Sequence, residues 1–279
     1  LADARGLVVR TYTQVDAALL DAAPKLRVVG RAGVGLDNID LDACGKRGVR
    51  VVYTPDANTQ AVVEYVWFVL GDLLRPRAYL NADVTDQRFH ELRKTCIGAQ
   101  LDAKVLGILG LGRIGRRVAQ VASAIGMRVI YNDLRSPADL HLPAGQPGDP
   151  VDKATLWRES DILTIHVDGR ADNRGLIDAD VLAQLKPTCL LLNAARGMLI
   201  DSAALAAWAT GVAERGGAAA LDVHDPEPPP TDYPLYGLAN VKLLPHLASR
   251  TPQAMANMSW VVRDVVAVLN GDEPRYPAG

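Results

Sequence analysis

The sequence is poor in cysteine, carries little net charge and contains no long apolar run. Its three cysteines, Cys44, Cys96 and Cys189, are scattered and lack Cys-x-x-Cys spacing. This argues against a disulfide framework and against a zinc site, and it is typical of a reducing cytoplasm. We therefore expect a cytoplasmic protein without a bound metal.

The formal net charge of −2 gives no basic footprint for a polyanion, so nucleic acid is not an expected partner. No apolar run reaches the roughly 18 residues that a membrane-spanning helix requires. The first residues also lack the basic-then-apolar pattern of a signal peptide. We expect no membrane partner.

Short apolar segments alternate with segments of helical spacing along all 279 residues. Strands are predicted at 7–10, 26–30, 49–53, 105–109, 128–131, 162–166, 189–193, 218–222 and 241–244. Helices are predicted at 15–22, 39–47, 59–74, 113–125 and 252–270, and surface loops at 136–150 and 225–234. Alternating strands and helices with apolar strands predict an α/β fold with parallel sheets covered on both faces. Because residues 1–6 run directly into a strand, we expect a further strand and helix upstream.

A glycine-rich turn, Gly110-Leu111-Gly112-Arg113-Ile114-Gly115, follows one apolar strand and precedes a helix. In a dinucleotide site the first glycine permits the turn, the second lets backbone approach the pyrophosphate, and the third allows close helix packing. Asp133 ends the next strand, where a carboxylate binds ribose hydroxyls and favours NAD over NADP, although Arg135 stands nearby. The alternative is a strand–turn–helix without a ligand.

Three polar residues follow the turn in separate short motifs. Arg196 ends Asn193-Ala194-Ala195-Arg196, Glu227 lies between Pro226 and Pro228, and His246 follows Pro245. A cation, a carboxylate and an imidazole supply the groups that hydride-transfer chemistry needs. Earlier in the chain, Gly33-Val34-Gly35 follows a strand and forms either a nest for a substrate carboxylate or a simple tight turn.

These motifs, together with segments 31–40 and 54–58, resemble the D-isomer-specific 2-hydroxyacid dehydrogenases over essentially the whole chain. Within that family the chain is most similar to members acting on 3-phosphoglycerate, in a short form without regulatory domains. The resemblance implies two Rossmann-like lobes with parallel sheets, the cofactor lobe being inserted into the substrate lobe. Residues 1–72 and 252–279 are the expected substrate domain, and residues 73–251 the expected NAD-binding domain.

The resemblance also implies residue roles. His246 is the expected general acid/base, Glu227 its partner, and Arg196 the group that holds the substrate carboxylate and carbonyl. The residues expected to bind NAD are Gly110, Gly112, Arg113, Ile114, Gly115, Asp133, Val167, Ala194, Arg196, Asp222, His246 and Ala248. Those expected to bind substrate are Arg10, Arg31, Val34, Gly35 and Asn58, with Arg93 as a further candidate for the phosphate.

The implied reaction moves a hydride between NAD and a D-2-hydroxy acid, most closely 3-phosphoglycerate. Alternatives are glycerate or hydroxypyruvate as the substrate, a non-enzymatic NAD-sensing corepressor, and a formate-dehydrogenase-like enzyme. Formate dehydrogenases, however, have Gln at the position of Glu227. The family also implies a homodimer, with an arm at 81–98. Two departures stand out: Asp168-Gly169 replaces a Pro-Leu-like pair beside the adenine, and Tyr65 replaces a frequent His.

Overall fold

The structure is a computed structural model and describes residues 1–80 and 82–278. It divides into two compact units. The first contains residues 1–61 and the chain from Ser249 onward, and the second is Val62–Ala248. The second unit is thus inserted into the sequence of the first. The sequence places these boundaries later, after 72 and 251, and the roles of the two domains stay predictions.

The first unit is built on a parallel three-stranded sheet of order β1-β2-β3. Its strands are β1 (Gly6–Val9), β2 (Val28–Arg31) and β3 (Arg50–Tyr53), and its helices are α1 (Ala17–Asp21), α2 (Leu41–Lys46), α9 (Pro252–Ser259) and α10 (Val261–Asn270). Helix α3 (Thr59–Leu74) begins in this unit and continues into the second. The predicted helix 252–270 is two helices, because the chain turns at Trp260.

Helix α10 packs on the sheet of its own unit. Gly30 in β2 permits this packing, since a Cβ there would lie 2.5 Å from Val265 Cγ2. Val261, Val265 and Val268 form the apolar part of the buried face of the helix, which also contains Asp264. Their helical spacing matches a single apolar stripe turned toward the strands.

The second unit contains a seven-stranded parallel sheet of order β10-β9-β8-β7-β4-β5-β6. Its strands are β4 (Val105–Leu109), β5 (Arg128–Asn132), β6 (Asp149–Pro150), β7 (Ile162–Ile165), β8 (Leu190–Asn193), β9 (Ala218–Leu221) and β10 (Val241–Leu243). Its further helices are α4 (Asp86–Thr95), α5 (Arg113–Ile125), α6 (Lys153–Glu159), α7 (Ala179–Gln184) and α8 (Ser202–Val212). The parallel α/β fold predicted from the sequence is confirmed. The loop predicted at 136–150 is shorter, because its last two residues pair with β5 as β6.

Strand order reverses between β4 and β7, which lie side by side although two strands separate them in sequence. In open parallel sheets, ligands bind at the carboxyl ends of strands at such a reversal. Alternate strand residues enter two cores: Val129 and Tyr131 pack on one face, and Ile130 packs on the other. The sheet is therefore covered on both faces, which fixes its carboxyl edge as the place for a site.

The arm predicted at 81–98 contains α4 and exposed segments beside it, while Asn81 itself lies outside the described residues. Within residues 1–80 and 82–278, no helix combines the length and apolar character needed to span a membrane.

Candidate active site

The glycine turn lies between β4 and α5, at the strand reversal. Gly110 has a φ of 93°, and a Cβ there would lie 2.9 Å from the His166 carbonyl. A Cβ on Gly115 would lie 2.2 Å from the Gly110 carbonyl oxygen. The backbone of this turn therefore requires both glycines.

Gly112 differs from its two neighbours. Its φ of −73° suits any residue, and a Cβ there would meet no atom within 4 Å in the described part of the chain. It forms the N-cap of α5 without a side-chain hydrogen bond, so the amides of Arg113 and Ile114 begin the helix without a side-chain cap. Free amides and the helix dipole favour a phosphate there, and the open space at Gly112 lets it approach closely. These residues fit the pyrophosphate of a dinucleotide.

Asp133 follows β5 directly, and its carboxylate contacts the backbone of the glycine turn. Its carboxylate accepts hydrogen bonds from the Leu111 amide at 2.8 Å and from the Arg135 amide at 2.9 Å. The Arg135 side chain also lies 3.5 Å away, as an ion pair. The carboxylate of Asp133, which is expected to bind the ribose, thus already accepts bonds from two backbone amides and lies beside the Arg135 guanidinium.

Arg196, Asp222 and His246 follow β8, β9 and β10, which are neighbours in the sheet. Because the carboxyl ends of parallel strands meet at one edge, their loops start side by side. Gly197 keeps two of these loops close, since a Cβ there would lie 2.0 Å from the His224 carbonyl carbon. Gly197 is not among the site residues predicted from the sequence, although glycine is the residue type that such a close backbone approach requires.

His246 and Glu227 form a hydrogen-bonded pair. His246 Nδ1 lies 2.8 Å from Glu227 Oε1, and the two side chains are 30% and 25% exposed. Because Nδ1 is committed to the carboxylate, Nε2 is the ring nitrogen left for chemistry. His246 also has a φ of 55°, a backbone conformation that is uncommon for non-glycine residues.

Asp222 is buried and organises the loop around His246. It accepts hydrogen bonds from the amides of Leu247 and Ala248, at 2.8 and 2.9 Å. The Tyr65 hydroxyl donates a further bond to it at 2.8 Å, and burial together with this carboxylate raises the pKa of Tyr65. These contacts position the backbone beside His246. A contact of Asp222 with NAD stays a prediction. No sequence signal pointed to Tyr65 as the partner of Asp222.

Arg196 is half-buried in the loop after β8, and its Nη1 donates to the Ala195 carbonyl at 2.7 Å. Ala194 precedes it at the same strand end. Val167 follows β7 and borders the glycine turn, since a Cβ on Gly110 would lie 2.9 Å from Val167 Cγ1. The structure thus brings the second-unit residues predicted from the sequence to one sheet edge.

Asp168, which departs from the family pattern directly after Val167, is paired with a neighbouring arginine. Arg170 grips its carboxylate with two bonds, of 2.7 and 2.6 Å, and Asn173 donates a third at 3.1 Å. The bond from Arg170 holds the pKa of Asp168 below its usual value. The extra carboxylate therefore comes with its own cation.

The residues predicted to bind substrate lie in the first unit. Arg10 follows β1, Arg31 ends β2 and is buried, and Val34 and Gly35 follow in the next loop. Asn58 precedes α3, and its side-chain oxygen is buried with no hydrogen-bond partner in the described chain. Such an acceptor fits a polar ligand. The other phosphate candidate, Arg93, lies separately, in the last turn of α4.

A protein-family model described as D-isomer specific 2-hydroxyacid dehydrogenase, NAD binding domain, matches residues 68–248. The chain is 42% identical over 273 residues to D-3-phosphoglycerate dehydrogenase of Mycobacterium tuberculosis, covering 97% of this chain and 50% of the relative. The chain therefore spans about half the length of that relative.

Two further similarities cover most of both chains. The (S)-sulfolactate dehydrogenase of Chromohalobacter salexigens is 38% identical, with 95% of this chain and 84% of the relative covered. The crystal structure of D-lactate dehydrogenase from Aquifex aeolicus, complexed with NAD and lactic acid, aligns with a TM-score of 0.81 at 27% identity. That alignment covers 98% of this chain and 85% of the other.

Proposed function

We propose that this chain, which belongs to the D-isomer specific 2-hydroxyacid dehydrogenase family, is an enzyme that oxidises a D-2-hydroxy acid with NAD. The observation that carries the proposal is the His246–Glu227 pair, 2.8 Å apart at the edge of a sheet whose glycine turn fits a dinucleotide. A corepressor-like NAD sensor has no specific observation in its favour.

In the proposed reaction, His246 Nε2 takes the proton of the substrate hydroxyl during oxidation and returns it during reduction. Glu227 holds Nδ1, so it fixes the ring orientation and stabilises the imidazolium that forms. Arg196 binds the substrate carboxylate and the oxygen that becomes the carbonyl, since its planar fork suits two acceptors. Asp222 and Tyr65 act as positioning residues for the loop that carries His246.

The chain carries the family's NAD-binding domain, and NAD, when bound, accepts or supplies the hydride. We propose that Gly112, Arg113 and Ile114 hold its pyrophosphate and that Asp133 binds its adenosine ribose. The other proposed contacts are Gly110, Gly115, Val167, Ala194, Asp222 and Ala248. These residues orient and desolvate the dinucleotide.

For the substrate we propose 3-phosphoglycerate, whose oxidation to 3-phosphohydroxypyruvate begins serine biosynthesis. Two names among the relatives, phosphoglycerate and sulfolactate, share a 2-hydroxy acid with an anionic group on carbon 3. Arg10 and Arg31 are the proposed cations for that group, and the buried oxygen of Asn58 the proposed acceptor for a substrate donor. A substrate without the anionic tail, such as glycerate, is the second candidate.

The test is a panel of D-3-phosphoglycerate, sulfolactate, glycerate and lactate, followed by NADH absorbance at 340 nm. We expect the two acids with anionic tails to react with the highest kcat/KM. Arg10→Gln and Arg31→Gln should raise KM for those two acids more than for glycerate, and Arg5→Gln, an exposed arginine of the same unit, serves as the control. Equal effects on all acids would refute the role of Arg10 and Arg31.

We also propose that the chain forms a homodimer through the second unit. Its segment 68–97 exposes a series of large apolar side chains: Phe68, Tyr79, Leu80, Val84, Phe89 and Ile97. Burial of these side chains against a second copy of the chain would remove apolar surface from water. Sedimentation analysis should give a dimer that Phe68→Asp and Ile97→Asp convert to a monomer, and a monomeric wild type would overturn the proposal.

A further inference from the structure

The first unit contains a cavity of about 220 Å³ that none of the proposed catalytic, cofactor or substrate residues lines. It lies between the loop after β3, the start of α10 and the chain at 275–276. Ligand pockets usually measure roughly 300–1,000 Å³. Because this cavity is smaller than that range, it suits a small molecule.

Two arginines at the cavity are held by aromatic rings. The Arg263 guanidinium carbon lies 3.6 Å from the ring centre of Trp260, and that of Arg275 lies 5.1 Å from the ring centre of Tyr276. Across the described residues, neither guanidinium group forms an ion pair. A guanidinium group that stacks on a ring keeps its edge N–H groups free for a planar anion. Two such groups therefore offer donors at one cavity.

Part of the cavity wall is apolar. Pro55 and Ala57 line the cavity, and Trp260 is 55% exposed although it is a large aromatic residue. The Arg263 guanidinium covers one face of this indole. The exposed remainder of the ring, together with Pro55 and Ala57, offers apolar surface to a ligand body.

Two carboxylates, Asp56 and Asp264, also line the cavity and balance the two arginines. Asp264 accepts hydrogen bonds from the amides of Arg275 and Tyr276, at 2.9 and 3.2 Å, so it is turned toward the backbone. A dianionic phosphate would meet two like charges here, whereas a monoanion gains donors at lower repulsion. We propose that this cavity binds a small, flat monocarboxylate, which the guanidinium groups of Arg263 and Arg275 hold while its body packs against Pro55, Ala57 and the exposed part of Trp260.

The test follows Trp260 by ¹⁹F NMR in protein labelled with 5-fluorotryptophan, whose four tryptophans give separate signals. Trp260→Phe assigns the signal. Benzoate is the probe, benzamide its neutral isostere and inorganic phosphate the second anion. We expect a saturable shift of the Trp260 signal with benzoate only.

Arg263→Gln and Arg275→Gln should each weaken benzoate binding at least about tenfold. Arg5→Gln and Arg196→Gln should leave it unchanged, the latter because it disables only the proposed substrate carboxylate site. Absence of a saturable shift, or its loss in Arg196→Gln, would overturn the proposal. An equal response to benzamide would show an apolar crevice instead, and tighter phosphate binding would show a general anion site.

Discussion

Substitution of two glycines in the turn after β4, Gly112 and Gly115, should affect protein stability and cofactor affinity differently. In Gly115→Ala the new Cβ would lie 2.2 Å from the Gly110 carbonyl oxygen, so backbone must move. Overpacking of this kind costs about 1–3 kcal/mol. In Gly112→Ala the Cβ points into open space from an ordinary φ of −73°. The loss at an N-cap and the gain from a stiffer unfolded chain nearly cancel, leaving the stability within about 0.5 kcal/mol of wild type.

Although Gly112→Ala should leave stability nearly unchanged, it should strongly weaken the affinity for the cofactor. A methyl group on Gly112 occupies the space that the pyrophosphate needs, so NADH should bind at least about tenfold more weakly, or about 1.4 kcal/mol. Urea unfolding measures the first quantity and NADH fluorescence titration the second. Gly211→Ala is the control, because Gly211 lies exposed in α8 with open space around its Cβ position within the described chain. The reasoning fails if Gly112→Ala binds NADH as wild type does, or unfolds as readily as Gly115→Ala.

Three further predictions concern single side chains. Glu227→Gln should lower kcat about tenfold to a hundredfold, because the imidazolium loses its 2.8 Å carboxylate partner; an unchanged kcat would contradict this role. Burial lowers the pKa of His166 to about 4, so the folded state favours the neutral imidazole. Protonation of His166 therefore destabilises the folded state: its contribution to the free energy of unfolding, at most roughly 3 kcal/mol, is present above pH 6.5 and is lost as the pH falls toward 4. Thermal unfolding of His166→Asn should depend less on pH in that window, and an identical pH dependence would count against it. Of the three cysteines, Cys96 alone should react with dithionitrobenzoate in the native protein. Burial raises the pKa of the Cys189 thiol to about 12, and burial also shields the Cys44 thiol from the reagent. The Cys96→Ser variant should then show no reactive thiol until denaturant is added.

Elements with a strong apolar pattern were predictable from the sequence. The bounds of α3, β4 and α5 agree with the prediction, because their apolar periodicity and the flanking turn residues indicate the same limits. Helix α4 was not predicted, and it buries none of its residues, so it has no apolar stripe to reveal it. The single helix expected at 252–270 was wrong, since local pattern did not reveal the turn at Trp260.

The place of the candidate residues in the fold was predictable from the sequence, but their contacts were not. Strand order alone places Arg196 and His246 at one edge, and this follows from alternating strands and helices. The bond between Tyr65 and Asp222 joins residues 157 positions apart, and no local pattern encodes such a pair. The replacement of a Pro-Leu-like pair by Asp168-Gly169 was evident from the sequence, but the pairing of Asp168 with Arg170, two residues later, was not predicted.

The central claim is hydride transfer between NAD and a D-2-hydroxy acid, with His246 as the acid/base. The direct measurement is NADH formation at 340 nm by wild type and by His246→Gln, with D- and L-isomers of the best substrate. We expect the D-isomer alone to react, with the variant slower by at least about a hundredfold while its NADH affinity stays within about threefold. Equal turnover by the variant, or no turnover by a wild type that binds NADH, would contradict the account.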